Sequence, residues 1–242
     1  MVRADLLKKN GSIFTGMGKA IAKTAKKNVK VVVVANPANT NCLITALNAE
    51  NISKKSFSAL TRLDYNRAKG QLQERFNLDS PDHIKNVIIW GNHSKTMFPD
   101  VEDAEILKNG KWIPIVSNVT TSEEDKKWLE NDFISTVQQR GASVIKARGL
   151  SSAMSAANAA VGHIRSLFLG TKDAEHVAMA VWSDGNPYGI KSGIFYSFPV
   201  YCKDGEWEFV HGIKNTTRGK KLMKITEQEL LEEKRIALGG TE

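Results

Sequence analysis

The feature that most narrows the fold is the run at 29–34, Val29-Lys30-Val31-Val32-Val33-Val34, which is β-branched almost throughout. A half-exposed strand alternates apolar and polar residues, so a run this continuous predicts a strand buried on both faces, as in a parallel sheet covered by helices. Asn36-Pro37 ends it, and the polar cluster Asn39-Thr40-Asn41 predicts the start of a helix. Upstream, Leu6, Leu7, Ile13, Phe14, Met17, Ile21 and Ala25 recur at three- and four-residue steps, which predicts a helix over 5–27 weakened by Gly11, Gly16 and Gly18. Residues 57–63 read as a second strand, with Asp64 at the turn into a helix through Phe76. A carboxylate there lies outside the carboxyl end of a strand, where ligands bind in open α/β sheets.

Beyond residue 93 the pattern changes. Residues 106–115 read as a hairpin turning at Asn109-Gly110, and 128–140 and 147–168 as helices. The second of these is rich in Ala, Ser and Gly, which suits close packing. Residues 177–182, 195–200 and 207–210 read as strands of an antiparallel sheet. Thr226-Glu227-Gln228-Glu229 has the spacing of a capping box opening a last helix, and Gly239-Gly240 would end it.

The chemistry centres on two stretches. Leu60-Thr61-Arg62-Leu63-Asp64-Tyr65-Asn66-Arg67 sets a carboxylate and a guanidinium on one side of a helix. The apolar run 87–90 ends in Gly91-Asn92-His93-Ser94, which places an imidazole at the end of a buried strand. An Asp bound to one ring nitrogen fixes the tautomer and stabilises the imidazolium, which makes His a general acid/base near neutral pH. Arg67 could hold a carboxylate through two parallel hydrogen bonds, which Lys cannot do. Taken alone, Asp-x-x-Arg on a helix is more commonly a solvated ion pair, and a lone His after a strand is more commonly structural.

The 242 residues carry a formal net charge of +8, with lysines scattered in doublets and no interleaved aromatics. That distribution argues against a nucleic-acid-binding module, while a positive field suits anionic substrates. Two cysteines far apart in sequence, Cys42 and Cys202, argue against a disulfide framework and suit a reducing, cytoplasmic compartment. His83, His176 and His211 lack the spacing of a metal site, and His163 is expected to be packed or on the surface. No apolar run approaches the length of a membrane span.

Several runs resemble the lactate/malate dehydrogenase family, in particular its cytosolic malate branch. They include Val31 through Leu43 with its Asn36-Pro37-Ala38-Asn39-Thr40-Asn41 core, the Leu-Thr-Arg-Leu-Asp-x-Asn-Arg-Ala-Lys segment, and Asn86-Val-Ile-Ile-Trp-Gly-Asn-His. Val137 through Arg148, Leu150 through Ala157, Ser183-Asp184-Gly185-Asn186 and Tyr196-Ser197-Phe198-Pro199 extend the likeness along nearly the whole chain. It implies NAD-dependent interconversion of malate and oxaloacetate. His93 would be the proton donor and acceptor, Asp64 its orienting partner, and Arg67 the binder of the substrate carboxylate. Arg3 would polarise the reacting carbonyl, and Asn36 would touch both substrate and cofactor. Asn10, Val34, Ala35 and Ser151 would contact the cofactor, while Met17 stands where the family has a cofactor-contacting glutamine. The implied fold is α/β: a remnant of a doubly wound parallel (Rossmann) sheet over 1–63, and an α+β substrate domain over 64–242 with an antiparallel sheet and long helices. The implied assembly is a homodimer acting on a small dicarboxylate, with no metal, nucleic acid or membrane involved.

The dinucleotide fingerprint is absent: Gly16-Met17-Gly18-Lys19-Ala20 lies in a helix-like stretch with no strand before it. The chain therefore reads as the C-terminal two-thirds of such an enzyme, and the family's substrate-selecting loop residue would fall just before Met1. Pyruvate/lactate chemistry and an inactive fragment stand as the alternatives.

Overall fold

The computed structural model describes the backbone of residues 3–120, 122–172 and 174–240 and the side chains from residue 11 onward. The first helix, α1 (Arg3–Thr24), leads to β1 (Val31–Val33), α2 (Ala38–Leu47), β2 (Phe57–Ala59) and α3 (Arg62–Arg75). Short strands β3 (Ile84–Lys85), β4 (Ile88–Trp90), β5 (Phe98–Asp100), β6 (Glu105–Lys108) and β7 (Lys111–Pro114) follow. A short α4 (Ile115–Asn118) and α5 (Glu123–Trp128) then run through a π-helical turn, Leu129–Phe133, into α6 (Ile134–Arg148). The chain ends with α7 (Ala153–Leu169), β8 (Val177–Trp182), β9 (Phe195–Lys203), β10 (Glu206–Phe209) and α8 (Thr217–Ala237).

β1 and β2 are parallel, in register Val31 to Phe57, as the apolar run predicts. They do not form a sheet of their own. Ala59 of β2 pairs with Ala180 of β8, which adds the antiparallel meander β8-β9-β10 to give one five-stranded sheet of mixed sense. The strand is not buried on both faces as its apolar run predicts: β1 is the edge strand, of its three residues only Val33 is buried, and Val34 is 45% exposed. One apolar cluster packs around Phe57, Leu43 and Phe195 on the β1–β2 side. Another centres on Trp90, Tyr196 and Phe198, and a third on Tyr65, Leu72, Ile89 and Phe133 under α3 and α6.

Several sequence-based boundaries shift for identifiable reasons. The second strand stops at Ala59, because Thr61 already has near-helical geometry (φ −113°, ψ 1°) and α3 begins at Arg62. The helices expected at 128–140 and 147–168 break elsewhere: α6 continues through Gly141 to Arg148, and Gly149 ends it in the left-handed conformation (φ +71°). Thr226 does not open the last helix. The cap is Thr216, ten residues before Thr226; the Thr216 side chain accepts from the Gly219 amide. Thr226 is fully buried mid-helix, and its hydroxyl makes tertiary bonds instead.

The glycines that weaken α1 as a sequence have unequal roles. α1 crosses α2 at Gly18, where an added Cβ would lie 2.5 Å from the Thr45 carbonyl oxygen and 2.7 Å from Asn48 Cβ. Gly16, two residues away, has nothing within 4 Å. Gly16→Ala should therefore stabilise by about 0.5–1 kcal/mol through helix propensity. Gly18→Ala should destabilise by about 1–3 kcal/mol, because two backbones must separate. Urea denaturation of the two variants reads the difference, and equal effects would contradict this crossing.

Candidate functional site

Two segments distant in sequence are joined at Ser197 on β9, which is fully buried. Its backbone pairs with Gly91, with amide-to-carbonyl distances of 2.9 and 3.2 Å in the two directions. Its hydroxyl lies 2.9 Å from that of Thr61, the residue before α3. One residue thus fixes the turn that carries His93 against the helix that carries Asp64 and Arg67.

Asp64 sits in the first turn of α3 with no exposed side-chain surface. A buried carboxylate is tolerated only when its charge is partnered. One oxygen, Oδ2, accepts a short hydrogen bond from His93 Nδ1. The other, Oδ1, accepts from Arg67 Nη1 at 3.3 Å, the helical i,i+3 pair that the sequence spacing predicts. Arg67 also donates through Nη2 to Ser152 Oγ at 3.3 Å, which ties α3 to the start of α7. The guanidinium lies beside Gly141 of α6, where a Cβ would be in ordinary contact with it, 3.6 Å from Nη1 and 3.7 Å from Nη2.

The His93 backbone is set from a second direction. Its amide donates to Asn39 Oδ1 at 3.0 Å, while Asn39 Nδ2 donates to the carbonyls of Gly91 (3.2 Å) and Phe195 (2.9 Å). The polar cluster at 39–41 does not cap α2: the helix starts at Ala38 with Pro37 before it and no side-chain cap. Its asparagines brace the site. Asn41 Nδ2 donates to the Ala35 carbonyl at 3.0 Å and so holds the exposed bend that follows β1. Asn39, Ser152 and Ser197 are site residues that the sequence did not single out, although each lies within a motif that carried the resemblance.

These elements border a cleft of about 240 Å³, lined by Val34, Asn36, Leu60, Leu63, Arg67, His93, Gly141, Ile145, Ser151, Ser152, Ala153 and Ala156. Five of the residues expected at the site, Val34, Asn36, Arg67, His93 and Ser151, line this one cavity. Asp64 lies behind it, and Ala35 is exposed at its rim beside Val34 and Asn36. The side chains of Arg3 and Asn10 lie outside the described residues. Met17 is half-exposed on α1 and is not among the lining residues. A second, more open cavity of about 580 Å³ adjoins the first between α3, α6 and α7 and shares Leu63, Arg67 and Ser152 with it.

The sequence is 52% identical over 238 residues to a cytoplasmic malate dehydrogenase of Gallus gallus, covering 98% of this chain and 70% of the relative. It is 50% identical over 237 residues to the cytoplasmic malate dehydrogenase of Homo sapiens, with the same coverage. The lactate/malate dehydrogenase NAD binding domain family matches residues 1–58, and the alpha/beta C-terminal domain of the same family matches 61–238. The chain belongs to the lactate/malate dehydrogenase family. Among solved structures, a malate dehydrogenase from Naegleria fowleri superposes with a TM-score of 0.89 at 40% identity, over 100% of this chain and 71% of that one. A lactate dehydrogenase from Trichomonas vaginalis, solved with NADH and oxamate, gives 0.91 at 36% identity over 99% and 71%. The family fold therefore extends across the whole described chain.

One histidine off the cleft carries a clear electrostatic signature. His163 of α7 is fully buried, with Nε2 2.9 Å from Ser58 Oγ on β2. Burial, with Arg62 nearby, lowers its pKa from 6.5 to about 3. The folded state keeps this ring neutral while the unfolded chain takes up a proton below 6.5. Its contribution is therefore complete above about pH 6.5 and is lost as pH falls toward 3. Between pH 7 and 5 the loss should be about 2 kcal/mol. Urea midpoints at the two pH values should diverge less in His163→Gln than in the parent, and parallel midpoints would contradict the assignment.

Proposed function

We propose that this chain catalyses the NAD-dependent interconversion of malate and oxaloacetate, with His93 as proton donor and acceptor. The observation that carries the reading is the Asp64–His93–Arg67 constellation on one cleft, assembled from separate segments of a chain about 50% identical to cytoplasmic malate dehydrogenases. Those relatives' compartment suits a chain whose two cysteines are buried free thiols.

The bend at the carboxyl end of β1 suits a flat aromatic ring. Val34, Leu60, Ile145 and Ala156 give apolar wall, while Asn36 and Ser151 add polar groups at its rim. These residues would hold the nicotinamide end of NAD, with the Val34–Ala35 backbone beside it; when bound, the cofactor supplies two-electron hydride chemistry. Asn10 keeps the cofactor contact that the family resemblance gives it.

The protein's own part is proton transfer and charge. Asp64 holds His93 through Nδ1, so Nε2 on the opposite edge is the nitrogen that gives a proton to the keto oxygen, or takes one from the hydroxyl in reverse. The same carboxylate stabilises the imidazolium that forms in the oxidative direction. Arg67 uses two of its five N–H donors internally, and the rest of the fork serves the substrate carboxylate. Arg3 would add positive charge at the reacting carbonyl. Asn36, which lines the cleft, would touch both cofactor and substrate. Residues 1–63 form the cofactor side in this reading and 64–242 the substrate side.

The assembly we infer is a homodimer. Met154, Val161, Ile164 and Phe168 form an apolar stripe along the outward side of α7, with exposures of 78%, 57%, 45% and 52%. A monomer rarely leaves such a stripe in water. Sedimentation should give a two-chain mass that Val161→Asp reduces to one; a one-chain mass for the parent would overturn the dimer.

The catalytic reading is tested by following NADH oxidation with oxaloacetate and with pyruvate at equal concentrations. Oxaloacetate should turn over and pyruvate should be poor. His93→Asn should lower kcat by about 10²–10⁴-fold, the range for a positioned general acid. Arg67→Lys should raise KM for oxaloacetate, since an ammonium cannot form the bidentate pair. Retained turnover in His93→Asn, or preference for pyruvate, would overturn it.

A further inference from the structure

The turn that carries His93 is gripped by the last helix through a buried polar network. The Asn92 amide donates to Thr226 Oγ1 at 2.8 Å. Asn92 Nδ2 donates to Glu229 Oε2 at 2.8 Å and to Glu233 Oε1 at 3.0 Å. The same Glu229 oxygen accepts a short hydrogen bond from Ser94 Oγ and one of 2.6 Å from Thr96 Oγ1, whose oxygen lies 3.0 Å from the Thr226 hydroxyl. The residues on both sides of His93 are thus anchored to three positions, successive helical turns apart, on a single helix. On the far side, Glu233 accepts a short hydrogen bond from Thr40 of α2, one residue beyond the Asn39 that receives the His93 amide.

The contact is also steric. Gly91 has φ +91°, and a Cβ there would lie 2.1–2.2 Å from the Thr226 side chain. The turn therefore lies flush on α8 and can neither rise nor rotate without breaking at least three hydrogen bonds. Neither Thr226 nor Glu229 lines the cleft or touches Asp64, so any effect on chemistry passes through the turn.

We propose that Thr226 and Glu229 are positioning residues of α8 that fix the His93 imidazole against Asp64 and toward the substrate. The proposal rests on the reading of His93 as the proton carrier. Small displacements matter at such a site, because about 1 Å of misplacement can lower rate by roughly 10²-fold.

Four variants of the full chain test it: Glu229→Ala, Thr226→Val, Thr226→Ser, and Glu232→Ala, an exposed position on the same helix that pairs with Arg235. Each is labelled with ¹⁵N-histidine, and the ring signals of His93, assigned by their loss in His93→Asn, are followed beside kcat and KM. Glu229→Ala and Thr226→Val should shift or broaden the His93 ring signals and lower kcat by about 10- to 100-fold, with KM within about threefold. Thr226→Ser, which keeps the hydroxyl, should restore both, and Glu232→Ala should change neither. Lower melting temperature with unchanged His93 signals and unchanged kcat would overturn the proposal by making the network merely structural. Should Glu229→Ala not fold, Thr226→Val against Thr226→Ser decides alone, since valine matches threonine in shape. If the parent shows no turnover, the function assigned to His93 fails, and the ring signals still decide whether α8 positions it.

Discussion

A carboxylate with no exposed surface is costly in a protein interior unless its oxygens are partnered, and Asp64 meets that condition by joining α3 to the turn that carries His93. His93 and Arg67 satisfy one oxygen each. Removing either partner would leave buried charge uncompensated, a change that costs about 3–5 kcal/mol in comparable buried pairs. The requirement works outward from there. To bring the imidazole to Asp64, the turn after β4 must run beside the start of α3, and Ser197 of β9 holds the two together through backbone and hydroxyl. Arg67 reaches Asp64 from one helical turn away on α3, and its guanidinium lies against α6 at Gly141 and against Ser152 at the start of α7. The site is therefore also a structural junction of the fold.

That junction explains why the parallel and antiparallel halves share one sheet. The Ala59–Ala180 pairing places β2 next to β8, and β9 follows on the other side of β8. Ser197 on β9 then lies within reach of Thr61, two residues beyond the end of β2. Two separate sheets would leave Thr61 and Ser197 on different layers. The continuity of strand pairing across the chain is what sets the spacing between the helix bearing the carboxylate and the turn bearing the histidine.

Much of this was legible in the sequence, for local reasons. The Val-rich run and its Asn-Pro stop gave a parallel strand and a bend, because β-branched continuity and proline act within a few residues, but not the burial on both faces, which the edge position of β1 denies it. The Asp64–Arg67 pair followed from helical spacing alone. What sequence did not reveal was whatever depended on which segments meet. Thr226-x-x-Glu229 has the same letters whether it caps a helix or lies in the middle of one; the hydroxyl at Thr216, ten residues earlier, takes the cap, and the pair turns to the His93 loop instead. Likewise Asn39 looked like a helix starter, while its amide spans Gly91, Phe195 and the His93 backbone. The Ala- and Ser-rich helix was expected to pack closely, and Ala159 and His163 do so, yet its other side carries the exposed stripe. Composition specifies that a helix can approach a neighbour, and not which of its sides does.

The two walls of the cleft are built differently, and the difference follows from how each is paid for in contacts. The His93 side is held by α2, β9 and α8 through buried hydrogen bonds, with Asn92 and Ser197 fully enclosed. The opposite side, from the end of α6 to the start of α7, exposes Ile145 and Leu150 at 51% and 68% and has Val137 as the one buried residue of α6. A wall with little buried apolar surface opens at low free energy, whereas a braced polar turn does not. The division matches the demands of the chemistry: proton transfer needs an imidazole fixed to fractions of an ångström, while substrate and cofactor must enter and leave. Arg67 stands at the boundary, joined to the rigid side through Asp64 and to the exposed side through Ser152, so the group that would hold the substrate carboxylate is also the link between the two walls.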